Sequence, residues 1–89
     1  MNIRLAPRAL RRLQQIYAYI ERDNPDAAAL TIERLLEAAK KLQEHPKLGR
    51  PGWREGTREL IYAPFIIVYR IKGDVIEIAT VLHGNRKHE

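Results

Sequence analysis

The chain has 89 residues, with sixteen Lys and Arg against eleven Asp and Glu, which gives a formal net charge of +5 at pH 7. So short a chain forms one domain, residues 1–89, with one core and a shallow working surface, so we expect no cofactor. The positive charge favours an acidic partner, such as nucleic acid or an acidic protein. There is no cysteine, and His45, His83 and His88 lack the spacing of metal ligands, so we also expect no metal site.

The sequence shows no sign of a membrane or export segment. No run approaches 18 apolar residues, and the N-terminal stretch MNIRLAPRAL lacks the apolar core of a signal peptide. We therefore expect a cytoplasmic protein without a membrane partner.

The first half of the chain predicts one strand and two helices. Residues 2–6 alternate polar and apolar, which predicts a short strand with Ile3 and Leu5 inward. Pro7 suits the first turn of a helix ending near residue 23, and residues 24–26, Asn-Pro-Asp, start a second helix that His45-Pro46 stops. The predicted core face of the first helix carries Leu10, Leu13, Tyr17 and Ile20, and that of the second Ala28, Ile32, Leu35, Ala39 and Leu42.

The second half predicts three strands, at residues 57–62, 65–71 and 75–82, with turns at residues 63–64 and 72–74. The middle run FIIVYRI is apolar at six of seven positions, which is typical of a central strand. The order of elements is β-α-α-β-β-β, and the predicted fold class is α+β. We expect the helical hairpin to pack on one face of a mainly antiparallel sheet and to leave the other face partly open.

The connector GRPGWREG lacks the spacing of a nucleotide-binding loop and does not join a strand to a helix. Its glycines predict a tight path from the second helix to the sheet. Arg50, Arg54 and Arg58 predict a cationic rim. We expect Trp53 to anchor the connector against apolar surface, whereas an exposed tryptophan would mark a partner contact.

The central strand places a positive charge on the open face of the sheet. Tyr69 alternates with the core residues of this strand, whereas Arg70 falls on the opposite face with Ile66. We expect Arg58 to lie beside Arg70, and Glu59 to point the other way.

Three motifs together resemble the ParE/RelE superfamily of toxins from bacterial type II toxin–antitoxin modules: GRPGWREGTREL, PFIIVYRI and VLHGNR. The resemblance implies a twisted antiparallel sheet with the N-terminal strand beside the C-terminal one. It also implies a cognate antitoxin, partly disordered when free, that wraps the toxin and neutralises it. The residues expected to bind this antitoxin are Ile16, Tyr19, Leu30, Leu36 and Trp53.

The superfamily has two mechanisms: RelE-like members cut mRNA on the ribosome, whereas ParE-like members poison DNA gyrase. RelE-like toxins carry an arginine two residues before the Val-Tyr of the central strand, and this chain has Ile66 there. An aliphatic residue cannot stabilise the charged transition state of RNA cleavage. The resemblance therefore favours gyrase inhibition without enzymatic activity, with a ribosome-dependent RNase and a non-toxic basic binding module as alternatives. The residues expected to bind the target are Arg58, Arg70, His83 and Arg86, of which His83, Arg86 and Arg58 would be catalytic in an RNase.

Overall fold

The computed structural model describes residues 1–84, and Arg86 therefore lies outside the described residues. The predicted β-α-α-β-β-β order and α+β class are confirmed, with one short strand added in the connector. The elements are β1 (Asn2–Leu5), α1 (Pro7–Glu21), α2 (Pro25–Lys40), a turn of 3-10 helix (Lys41–Gln43), β2 (Arg50–Pro51), β3 (Arg58–Tyr62), β4 (Phe65–Lys72) and β5 (Val75–His83).

The two helices begin differently. Asn24 caps α2 by accepting a hydrogen bond from the Ala27 N–H at 3.0 Å, and Asp26 lies in the first turn. By contrast, α1 begins at Pro7 after an extended Ala6, without a side-chain cap and without an acidic residue in its first turn. The positive end of the α1 dipole is therefore not neutralised by its own first turn.

The sheet has five strands in the order β1-β5-β4-β3-β2. β1 runs parallel to β5, and the other pairs are antiparallel. Two parallel strands must be joined by a long crossover connection, and the helical hairpin forms part of the connection from β1 to β5. The N-terminal strand thus lies beside the C-terminal one, as the resemblance implied, but the pair is parallel where an antiparallel sheet was expected.

The core lies between the helices and one face of the sheet. Tyr69, Ile67 and Ile76 are buried there, and Ile3 and Leu5 pack against it as predicted. The predicted face of α1 is wrong at Leu10, which is 48% exposed. The core stripe runs through Ala9, Leu13 and Ile16 instead. Ile16, which we expected outside the core, is therefore partly buried against it.

A β-bulge interrupts the pairing of β4 with β5. Val68 pairs with Thr80, whereas its neighbour Tyr69 pairs with Ile78, so that β5 carries one extra residue, Ala79. A bulge of this kind shifts the alternation of a strand by one residue. The β5 residues in the core are therefore Ile76, Ile78 and Val81, and those lining the opposite side are Glu77, Ala79, Thr80 and Leu82.

Candidate functional site

The sheet face opposite the helices forms a concavity of about 240 Å³, which we call the open-face cleft. Its floor comes from β3, β4 and β5. Its rim comes from the start of α1 and from the connector. The side chains that line it include Arg8, Trp53, Arg54, Glu59, Val68, Arg70, Glu77, Thr80 and Leu82.

Arg70 lines the cleft, as the alternation of β4 predicted. Its partner across the strands is Glu77, but this carboxylate is bound elsewhere. It accepts a hydrogen bond from Arg4 at 2.6 Å and lies 3.1 Å from the Lys72 ammonium. The hydrogen bonds from Arg4 and then Lys72 lower the pKa of Glu77 below its usual value. Within residues 1–84, Arg70 forms neither a hydrogen bond nor an ion pair.

Glu59 also lines the cleft, contrary to the prediction. The pairing of β3 with β4 places it opposite Val68, which faces the cleft. Its Oε1 accepts hydrogen bonds from Nη2 and Nε of Arg50 at 3.0 and 3.2 Å, and its Oε2 accepts one from the Trp53 N–H at 3.3 Å. This buried carboxylate therefore holds the connector against the sheet.

Arg58 does not lie beside Arg70, so that prediction is wrong. The register places Arg58 opposite Tyr69, whose side chain faces the helices. Its Nε donates to the Gly49 carbonyl at 2.9 Å, and its Nη2 donates to the Lys47 carbonyl at 3.2 Å. Arg58 therefore fixes the start of the connector.

We expected Trp53 to anchor the connector against apolar surface, but it does not. It keeps 65% of its surface exposed at the rim of the cleft, with the Arg54 guanidinium 6.0 Å from its ring centroid. The connector is closed instead by the Gly52 N–H, which donates to the Thr57 carbonyl at 2.7 Å. A Cβ atom at Gly52 would lie 2.2 Å from Thr57 Oγ1, so the close approach requires glycine.

His83 lies on the helix side of the sheet, away from the cleft. Its ring meets the Phe65 ring edge-on, with centroids 5.8 Å apart. Of the four predicted target-binding residues, the structure therefore places only Arg70 in the cleft, because Arg58 and His83 face the other side and Arg86 lies beyond residue 84.

His83 lines a second groove of about 730 Å³ between the helices and the end of the sheet, which we call the hairpin groove. Ile16 and Tyr19 lie in it, and Tyr19 is 73% exposed. The other predicted antitoxin-binding residues do not line it, since Leu30 and Leu36 are exposed elsewhere on α2 and Trp53 is at the cleft.

Arg12 fixes one wall of the hairpin groove rather than extending into solvent. Its Nε donates to the Val81 carbonyl at 3.1 Å, and its Nη1 donates to the side-chain oxygen of Gln15 at 2.9 Å. The carbonyl of Val81 lies beyond the end of β1, where β5 has no neighbouring strand on that side. Arg12 therefore holds α1 to the sheet edge.

Within residues 1–84 there is no cluster of three His, Cys, Asp or Glu side chains that could hold a metal ion. No helix in the same range is both long and apolar enough to cross a membrane. The charged groups that line the cleft are therefore its arginines and two carboxylates that already form ion pairs.

A family model described as "ParE toxin of type II toxin-antitoxin system, parDE" matches residues 3–88. The chain is 53% identical to "Putative toxin Y4kP" of Sinorhizobium fredii, over 97% of this chain and 91% of that protein. It is 30% identical to Toxin RelE3 of Caulobacter vibrioides, over 93% of this chain and 94% of that one.

Two solved structures share the fold. A chain of the chromosomal ParDE system from P. aeruginosa has a TM-score of 0.85 at 27% identity, over 93% of this chain and 95% of that one. A chain of the RelBE2 toxin–antitoxin complex from Mycobacterium tuberculosis has a TM-score of 0.65 at 25% identity, over 92% and 95%. The chain therefore belongs to the ParE family and is a toxin of the type II toxin–antitoxin class.

Proposed function

We propose that this toxin inhibits DNA gyrase by binding it through the open-face cleft, and that it does so without cutting RNA. The observation that carries the proposal is Ile66, at the position where RelE-like toxins have an arginine. Its side chain is only 4% exposed and pairs with Leu82 of β5. A buried aliphatic group cannot stabilise the negative charge that develops on a phosphate under attack.

The candidate proton-transfer groups also support binding rather than catalysis. Both oxygens of Glu59 accept hydrogen bonds from the connector, and Glu77 is paired with two cations. His83 lies on the helix side, away from Arg70. Acid–base cleavage needs a base and an acid within hydrogen-bond reach of one substrate.

DNA supercoiling by purified gyrase, with and without the full-length protein, tests the proposal. We expect the wild type to inhibit supercoiling and Arg70→Glu to have lost at least about tenfold in potency, because a charge reversal opposes an acidic or DNA-bound target. Arg34→Glu is the matched control, since Arg34 is exposed on α2 and makes the same charge change. Equal potency of the two variants would refute the role of the cleft.

The second candidate function is a ribosome-dependent RNase, which the relative named Toxin RelE3 favours. Primer extension on translating ribosomes tests it. Codon-dependent cuts that disappear with His83→Ala or Arg86→Ala would establish this function instead. If expression of the chain does not arrest growth, and neither gyrase inhibition nor cleavage is found, the third alternative, a non-toxic basic binding module, is correct.

We also propose that a cognate antitoxin neutralises the toxin by laying an apolar helix in the hairpin groove. The observation that supports this is Tyr19, which is large, apolar and 73% exposed beside the partly buried Ile16. Tyr19→Glu should weaken the complex by more than about tenfold, because it places a charge in an apolar contact. Leu48→Glu is the control, since Leu48 is an exposed apolar residue after α2 that does not line the groove. Unchanged affinity of the Tyr19 variant in a calorimetric titration would exclude the groove.

A further inference from the structure

We propose that the open-face cleft is a phosphate-binding site, and that it takes the phosphoryl group of a nucleotide, free or at a strand of nucleic acid. The site would exist whether or not gyrase is the target of the toxin. The proposal depends on four observations: uncompensated positive charge, a buried hydroxyl without a partner, a helix N-terminus, and an aromatic rim.

The first observation is the charge balance of the cleft. Both of its carboxylates are already engaged, Glu59 by Arg50 and Glu77 by Arg4 and Lys72. Arg70, which is partly buried, and Arg8, which is exposed, form no hydrogen bond or ion pair within residues 1–84, and both line the cleft. Two guanidinium groups are therefore available to an anion.

The second observation is Thr80, which lines the same cleft and is only 7% exposed. Its Oγ1 is buried and makes no hydrogen bond to any residue in the described part of the chain. Leaving a buried hydroxyl unpaired costs stability, so Thr80 calls for a partner outside the described residues, and a bound ligand at the cleft would supply one. Thr80 pairs with Val68, and Arg70 lies two residues further along β4, about 7 Å away along the strand.

The bulge at Ala79 is what places Thr80 there. With strict alternation from Ile78, which is in the core, Thr80 would face the helices. The extra residue places Thr80 on the cleft side instead. Bulges are frequent beside binding sites because they redirect a side chain in this way.

The third observation is the start of α1. Ala6 and Arg8 line the cleft, and the Ala6 N–H is bonded to the Ile78 carbonyl at 2.9 Å, which fixes the helix start against β5. This end carries neither a side-chain cap nor an acidic residue. Its partial positive charge adds to that of the two arginines and favours a doubly charged phosphate over a single carboxylate.

The fourth observation is the size and rim of the cleft. Its volume of about 240 Å³ exceeds that of a bare phosphate ion, so there is room for the group attached to the phosphate. Trp53, 65% exposed, stands at this rim with Arg54 beside its ring. An aromatic ring next to cations is the arrangement on which nucleobases stack. The attached group is therefore a nucleoside.

The experiment is a titration of the full-length chain with inorganic phosphate, followed by the amide resonance of Thr80 and the Nε resonance of Arg70. We expect both to shift saturably. Arg70→Gln should weaken binding by about tenfold or more, because it removes a charge-assisted hydrogen bond. The matched control is Arg34→Gln, exposed on α2, which should change affinity by less than about twofold.

Thr80→Val separates a ligand role from a structural one. Replacing an unpaired buried hydroxyl by a methyl group should leave the melting temperature unchanged or raise it, while phosphate affinity falls by about threefold or more. A variant that melts lower and binds phosphate normally would show that the hydroxyl serves the fold, and would overturn the proposal.

The nucleoside part is tested with thymidine monophosphate and an oligothymidylate. Trp53 is the only tryptophan of the chain, so its fluorescence reports directly on a base at the rim. We expect both probes to quench it, and Trp53→Leu, titrated through the amide resonance of Thr80, to reduce their affinity to that of inorganic phosphate. Tighter binding of the oligomer would identify a strand as the source, and tighter binding of the monomer a free nucleotide.

Three further results would overturn the proposal. One is the absence of any Thr80 shift at millimolar phosphate. Another is equal loss of affinity in the Arg70 and Arg34 variants, which would mean diffuse electrostatics. The third is an acidic peptide that displaces phosphate at lower concentration, which would make the cleft a carboxylate site. None of these outcomes bears on gyrase inhibition, which the supercoiling assay measures separately.

Discussion

The hydroxyl of Tyr69 joins the connector to the middle of the sheet, and Tyr69→Phe tests how much stability this link contributes. The ring is fully buried. Its hydroxyl donates to the Pro46 carbonyl at 2.7 Å and accepts from the Gly49 N–H at 2.9 Å. Removing one oxygen atom therefore breaks two hydrogen bonds and leaves the N–H of the buried Gly49 without an acceptor.

The expected loss in the free energy of unfolding follows from these two hydrogen bonds. A buried donor left unpaired costs about 1–3 kcal/mol, and the second bond contributes about 1 kcal/mol, so we expect Tyr69→Phe to lose about 2–4 kcal/mol. An 89-residue domain has a free energy of unfolding of about 4–13 kcal/mol. The melting temperature should accordingly fall by about 10–30 °C.

Urea unfolding followed by circular dichroism measures the loss, with Tyr19→Phe as the control because that ring is 73% exposed. Gly49→Ala perturbs the same link from the other side, since its Cβ would lie 2.8 Å from the Tyr69 hydroxyl. The double variant should therefore lose less than the sum of the single losses. A Tyr69→Phe protein within about 0.5 kcal/mol of the wild type would refute this reasoning.

Three further predictions concern the connector and the open face. Arg58→Gln should lower stability by about 1–2 kcal/mol in urea unfolding, and Arg58→Lys should not restore it, because a single ammonium cannot span two carbonyls. Gly52→Ala should destabilise the connector through its clash with Thr57, seen as faster amide exchange there and normal exchange in the helices. The pKa of Glu77 is lowered in the folded state, so its contribution to stability is fully present above the unfolded carboxyl pKa of about 4.3. That contribution is lost as the pH falls through the pKa of the folded state. Glu77→Gln should therefore flatten the acid limb of stability against pH, and an unchanged limb would contradict the pairing.

The elements of the fold could be predicted because each has a local signal. Pro7 and the Asn24 cap marked where the helices begin, and the apolar run of β4 marked the centre of the sheet. The side of β4 that carries Arg70 followed from alternation alone. The position of β1 beside β5 has no local signal and came from the resemblance to the toxin superfamily, whereas the parallel direction of this pair was not predicted.

The candidate site was harder to predict, because its residues depend on register. Arg58 was predicted on the open face and Glu59 on the helix face, and the structure has them the other way round. The irregular connector before β3 gives no indication of which face its first residue occupies. Thr80 was missed, although the three-residue step from Ile78 to Val81 between core positions was a signal of the bulge. Strict alternation cannot produce an odd step.

Ala79 is an inserted residue that β5 accommodates as a bulge, without losing its pairing with β4 on either side. Residues before it are phased by their pairing with β1, and residues after it face the cleft or the helices in the opposite phase. Because the bulge already absorbs this residue, deleting Ala79 would leave a regular strand in which Thr80 follows Ile78 on the cleft side and Val81 still faces the core. The length of β5 can therefore change by one residue at this position without exchanging the residues that meet the core and those that meet a partner.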